Sequence, residues 1–166
     1  MREVHASGIM RARSSRRGGA CRIERVDKAL LPQDPRALFV AETVLDELME
    51  WSRAAGYAQV DALAMLERLD LGGLESRHPY DLSGGQQQLL ALGKLLLVKP
   101  KLLLLDEPTK GLDMEARRSL ASVLIELRGR GVAVVMATHD LDFVEQVADT
   151  VSMLFDGEIA CTEPSG

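Results

Sequence analysis

The sequence predicts an α/β fold, a parallel sheet with covering helices. Three observations carry this. The continuous apolar runs in Lys101–Leu105 and Val132–Ala137 read as buried strands. Around them, apolar residues recur at helical spacing. Strand and helix alternate along the chain, which places successive strands in parallel.

Each element has a local reason. Residues 1–24, with the run RARSSRRGG at Arg11–Gly19, are basic, small and aperiodic. They read as a disordered or non-homologous tail, ahead of a domain over 25–166. Arg25–Leu31 forms a short strand. Pro32-Gln33-Asp34-Pro35 stops it and puts Gln33 on a loop at its end. A helix from Ala41 carries Val44, Leu45, Leu48 and Met49. A second places Val60, Leu63, Ala64 and Leu66 on one face and ends at Gly72-Gly73. A connector, Leu74–Leu82, leads to a helix from Ser83 to about Val98, broken by Lys99-Pro100. Met114–Arg128 is a helix with the stripe Leu120, Val123, Leu124 and Leu127, ended by Gly129 and Gly131. Asp140 caps a short helix through Ala148. Thr150–Phe155 and Glu158–Cys161 form strands about Asp156-Gly157.

Bulk properties narrow the function. The 166 residues, 46% hydrophobic, suffice for one domain with a sizeable core. A net charge of −5 argues against a general nucleic-acid binder. That charge is uneven, +5 over residues 1–30 and −10 over the rest. The most apolar segment, Leu89–Leu105, is interrupted by Lys94, Lys99, Pro100 and Lys101, which excludes it as a membrane span. Cys21 and Cys161 fit no metal-ligand spacing.

The chemistry sits at element ends. Ser83 is a helix cap, and Gly84 and Gly85 allow close approach of a ligand. Such a helix start presents free N–H groups and partial positive charge, which suits a phosphate. Asp106 and Glu107 follow a parallel strand, at the edge where such sheets bind ligands. Asp106 is placed to hold Mg2+ through water, and Glu107 to polarise an attacking water as general base. His139 stands at the same edge, after Val132–Ala137. His5 and His78 have no such setting, and Trp51, Tyr57 and Tyr80 read as packing residues.

The stretch Tyr80–Asp113, YDLSGGQQQLLALGKLLLVKPKLLLLDEPTKGLD, resembles the ATP-binding cassette (ABC) ATPases. The resemblance implies an ABC-type ATPase core with a small helical subdomain, about 41–98. It implies ATP and Mg2+ as ligands, with Ser83, Gly84, Gly85, Gln86 and Asp113 as ATP-binding residues. Gln33 matches the Q-loop glutamine, which reaches Mg2+ and the attacking water. Asp106 corresponds to the Mg2+ residue, Glu107 to the general base, and His139 to the switch histidine at the γ-phosphate. The partners implied are a second ABC domain, head to tail, and a transmembrane transporter subunit. The place implied is peripheral, on the cytoplasmic face of the plasma membrane. The interval from Gln33 to Ser83 fits a compact helical insertion rather than the long coiled coil of chromosome-maintenance relatives.

Within the superfamily, the wording is similar to ATPases of energy-coupling-factor importers of vitamins and metal ions, and most to the second half of the duplicated form. Two departures stand out. Leu89 replaces an Arg common in relatives, and the sequence contains no GxxxxGK[ST] phosphate loop. The resemblance therefore covers the carboxyl-terminal two-thirds of a nucleotide-binding domain, with the amino-terminal β-subdomain and the phosphate-loop strand missing. It implies an open edge on the strand ending in Asp106. The alternative function is a non-catalytic module that donates its LSGGQ to a partner's ATP site.

Overall fold

The structure, a computed structural model, describes residues 28–156 and 158–164. The expected tail over 1–24 and the first residues of the Arg25–Leu31 strand lie outside the described residues. The described chain runs β1 (Lys28–Leu31), α1 (Val44–Met49), α2 (Ser52–Ala55), α3 (Gln59–Arg68), α4 (Gly84–Leu97), β2 (Leu102–Asp106), α5 (Met114–Gly129), β3 (Ala133–Ala137), α6 (Leu141–Val147), β4 (Thr150–Phe155) and β5 (Glu158–Pro164). Single 3-10 turns stand at Pro35–Leu38 and Pro79–Asp81.

β1, β2 and β3 form a parallel sheet in that order, as the alternation predicts. Leu31 lies opposite Leu105, and Asp106 opposite Ala137. β2 is therefore central. The expectation of an open edge on this strand is corrected: β1 and β3 pair with both its sides, and the outer positions among the described residues belong to those two strands. The expected burial of the apolar runs is also corrected. Leu103 and Leu105 are buried, but Leu102 and Leu104 only partly so. Val135 of β3 is 57% exposed. Alternate burial in β1 and β2 puts one face of the sheet against α4 and α5 and leaves the other partly open.

The core gathers on α4, whose residues Gln88–Leu97 are all buried. Leu120, Val123, Leu124 and Leu127 of α5 join it on the predicted stripe. In α3 the predicted stripe holds at Leu66 and is otherwise displaced. Ala62 and Leu66, with Leu69 beyond the helix, are buried, whereas Val60 and Leu63 are 69% and 37% exposed. This helix stops before Gly72-Gly73, because Asp70 already takes a left-handed conformation, φ 56°. β4 and β5 pair as an antiparallel hairpin. Among the described residues, no helix is long and apolar enough to cross a membrane.

Candidate functional site

Parallel register brings the predicted edge residues to one side of the sheet. Gln33 follows β1 by two residues, Asp106 ends β2, and Thr138 and His139 follow β3. All stand at the carboxyl ends of neighbouring strands. Gln33 and Asp106 are exposed there.

Glu107 is held in place by backbone and side chain together. It adopts φ 47°, a left-handed conformation rare for a residue with a Cβ. Its N–H donates to the Ala137 carbonyl at 2.8 Å, which continues the β2–β3 pairing through the turn. Thr138 Oγ1 donates to Glu107 Oε2 at 3.3 Å. His139 Nδ1 lies 3.0 Å from Oε1 and 2.9 Å from Oε2. The Thr138 hydroxyl in turn accepts from the Asp140 N–H at 3.1 Å. The hydrogen bond from His139 holds the Glu107 carboxyl below its ordinary range. The same bond raises the His139 imidazole above its ordinary value. Glu107 is thus an anion at neutral pH, and its pairing makes it a weaker base than a free carboxylate.

Two neighbours escaped the sequence reading as site-supporting residues. Arg117 of α5 donates to Asp140 Oδ1 at 2.8 Å, and the same oxygen accepts from the Phe143 N–H at 3.1 Å. Asp140 therefore caps α6, as its place predicts, and also pins α6 to α5. Arg117 carries no sequence signal, since charged residues on a helix surface are ordinary.

The helix start at Ser83 forms a second group. Ser83 Oγ accepts from the Gln86 N–H at 3.3 Å, and Gln86 Oε1 accepts from the Ser83 N–H at 3.0 Å. This reciprocal capping box engages the Gln86 side chain with its own helix. The two glycines have different surroundings. A Cβ at Gly84 would meet nothing within 4 Å, but one at Gly85 would lie 2.9 Å from the Ala116 Cβ. Gly84 thus faces open space, and Gly85 lets α4 approach α5. Asp113 Oδ1 accepts from the Ala116 N–H at 2.8 Å and caps α5. The Asp113 turn and the Ser83 helix start therefore abut at Ala116.

Among the described residues, no three His, Cys, Asp or Glu side chains gather to hold a metal ion. The Gln33 and Asp106 oxygens at adjacent strand ends still suit Mg2+, which keeps most of its waters and takes one or two protein carboxylates.

Residues 4–110 match the family described as ABC transporter. The chain belongs to that family. Its match begins within the basic amino-terminal segment. A "Putative ABC transporter ATP-binding protein" of Bacillus thuringiensis is 46% identical over 129 residues, 76% of this chain and 23% of the relative. One of Pyrococcus furiosus is 41% identical over 131 residues, 76% of this chain and 50% of the relative. The chain thus spans from 23% to 50% of the length of these curated relatives. Among solved structures, the ATP-binding cassette MJ0796, a dimer bound to ADP and Pi, superposes with TM-score 0.74 at 27% identity, over 86% of this chain and 65% of that one. cbiO1 of Clostridium perfringens, part of the ABC transporter complex cbiONQ, gives 0.73 at 26% identity, over 85% of this chain and 58% of that one. The α/β fold and the ABC transporter ATP-binding family read from the sequence both stand.

Proposed function

We propose that this chain is part of the ATP-binding subunit of an ABC importer, and that it serves two nucleotide positions with two groups of residues. The observation that carries this is that the two groups stand on different elements, a capped start of α4 with open space at Gly84 and the Glu107–His139 pair at the carboxyl ends of β2 and β3. Ser83, Gly84, Gly85, Gln86 and Asp113 serve the nucleotide of a second ABC domain, head to tail, with Gly84 on the open side and Gly85 seating the helix start against α5. There Ser83 and the free N–H groups of α4 meet phosphate oxygens, and the open side of Gly84 permits the approach.

Gln33, Asp106, Glu107 and His139 serve a nucleotide on this chain's own sheet edge. ATP supplies the phosphoanhydride bond, and Mg2+ offsets phosphate charge. Gln33 and Asp106 would hold the ion through water, Glu107 would accept a hydrogen bond from the attacking water, and His139, which orients Glu107, would serve the γ-phosphate. The backbone cradle for the β- and γ-phosphates is not encoded in these 166 residues. A vitamin or metal ion as cargo, a transmembrane subunit as partner, and the cytoplasmic face of the plasma membrane as location complete the reading. The likeness to cbiO1 supports that branch.

The second reading, a non-catalytic module lending its Ser83 helix to a partner's ATP site, draws on the engagement of Glu107 by Thr138 and His139. Calorimetric titration with Mg-ATP and phosphate-release assays test both. The chain alone should bind weakly and release no phosphate. Mixed with an intact, hydrolysis-deficient ABC domain, it should associate only when ATP is present. Turnover by the chain alone, abolished by Glu107→Gln, would rule out the non-catalytic module and show that these residues hold the phosphates without the GxxxxGK[ST] cradle. ATP-independent association would overturn the role given to the Ser83 helix start.

A further inference from the structure

Lys94 of α4 is fully buried, with its charged end inside the protein. It lies eleven residues beyond Ser83, about 16 Å along a helix rising 1.5 Å per residue. Its ammonium donates to the Leu38 carbonyl at 2.7 Å and pairs with Glu47 Oε1 and Glu50 Oε2. Three acceptors match its three N–H groups. The Trp51 ring lies beneath it, 4.6 Å from ring centroid to nitrogen. Glu47 is also fully buried. Its second oxygen, Oε2, accepts the N–H groups of Val40 at 2.8 Å and Ala41 at 2.7 Å.

This network joins three pieces of chain: the 38–41 segment, α1 with its end at Glu50, and α4. A buried ion pair is weak evidence of stability, because desolvation offsets much of the attraction. Its geometric effect is more specific. Leu38, Val40 and Ala41 each spend a backbone group on the network, so the segment has one place on α4. That segment is the far end of the loop begun by Gln33, and Ser83 caps the start of α4.

We infer that Lys94 is a positioning residue, which holds the Gln33 loop against the helix whose start is Ser83. The purpose of that link rests on the function proposed above. Its test uses no nucleotide, so the two can fail separately.

The experiment compares the full chain with Lys94→Met, Lys94→Arg and Glu47→Gln. It reads site-resolved amide exchange and the emission of Trp51, the chain's single tryptophan. Lys94→Met should speed exchange at Val40 and Ala41 by about tenfold or more beyond any change in β2 and α5. It should also shift the Trp51 emission, because the cation leaves the ring. Glu47→Gln should give the same local pattern, more weakly, and Lys94→Arg should restore slow exchange. If Lys94→Met does not fold, Glu47→Gln decides by the same criterion. Exchange at Val40 and Ala41 that rises only in step with β2 and α5 would overturn the inference. So would an arginine variant that behaves as the methionine one.

Discussion

Gly85 and Ala116 meet where α4 passes α5, with only 2.9 Å between a Cβ built on the glycine and the Cβ of the alanine. The backbone of α4 depends on that absence of a side chain. Gly85→Ala should therefore destabilise the protein by about 1–3 kcal/mol, the usual range for overpacking. Gly84→Ala should stay within about 0.5 kcal/mol, since its Cβ enters open space. Denaturant melts of the two variants check the contrast. Equal losses would mean that the crossing relaxes freely.

The Glu107–His139 pair predicts a pH window. His139 has its pKa raised by Glu107, so its contribution is complete below the unfolded value and fades as pH rises through the higher folded value. Glu107 is shifted down by His139, so its contribution is complete above its unfolded value and fades as pH falls through the lower folded one. The pair is intact between the ordinary carboxylate value of 4.5 and the ordinary imidazole value of 6.5. In an NMR titration the His139 ring should show a midpoint above 6.5. Glu107→Gln should bring it down. An unmoved midpoint would show that the two groups do not interact in solution.

What could be read from the sequence followed the range of each signal. Ser83, Asp113 and Asp140 act within three residues of themselves, and their caps are visible in a short window. The packing role of Gly85 was not, because Ala116 comes from another helix. Of the stripe read in α3, Leu66 is buried as predicted, and tertiary contact selects Ala62 to join it in place of Val60, Leu63 and Ala64. Lys94 appeared merely as a charge interrupting an apolar run. Its partners Glu47 and Glu50 lie more than forty residues earlier, so nothing local announces its burial.

Asp113 tests how far a cap and a ligand residue coincide. Its carboxylate holds the Ala116 N–H at the start of α5. Asp113→Ala should cost about 1 kcal/mol, and Asp113→Asn much less, because Asn caps nearly as well. Thermal melts separate the two. If ATP-dependent association with an intact ABC domain falls for Asp113→Asn while stability holds, the charge serves the nucleotide as well as the helix. Unchanged association would confine Asp113 to capping.

β3 supplies the last prediction. It is an outer strand of the sheet among the described residues, and Val135 at its centre is 57% exposed. The β4–β5 hairpin adds Leu154, Phe155 and Ile159, each at least 66% exposed. Unpaired strand edges beside exposed apolar side chains are templates for association between chains. The chain should therefore self-associate as its concentration rises. A charge on an outer strand opposes such pairing, so Val135→Lys should lower the light-scattering mass, with little effect on the fold because the side chain is already exposed. Phe155→Lys serves as the comparison. Loss of association in the Phe155 variant alone would place the contact on the hairpin. Persistence in both variants would mean that neither surface drives it.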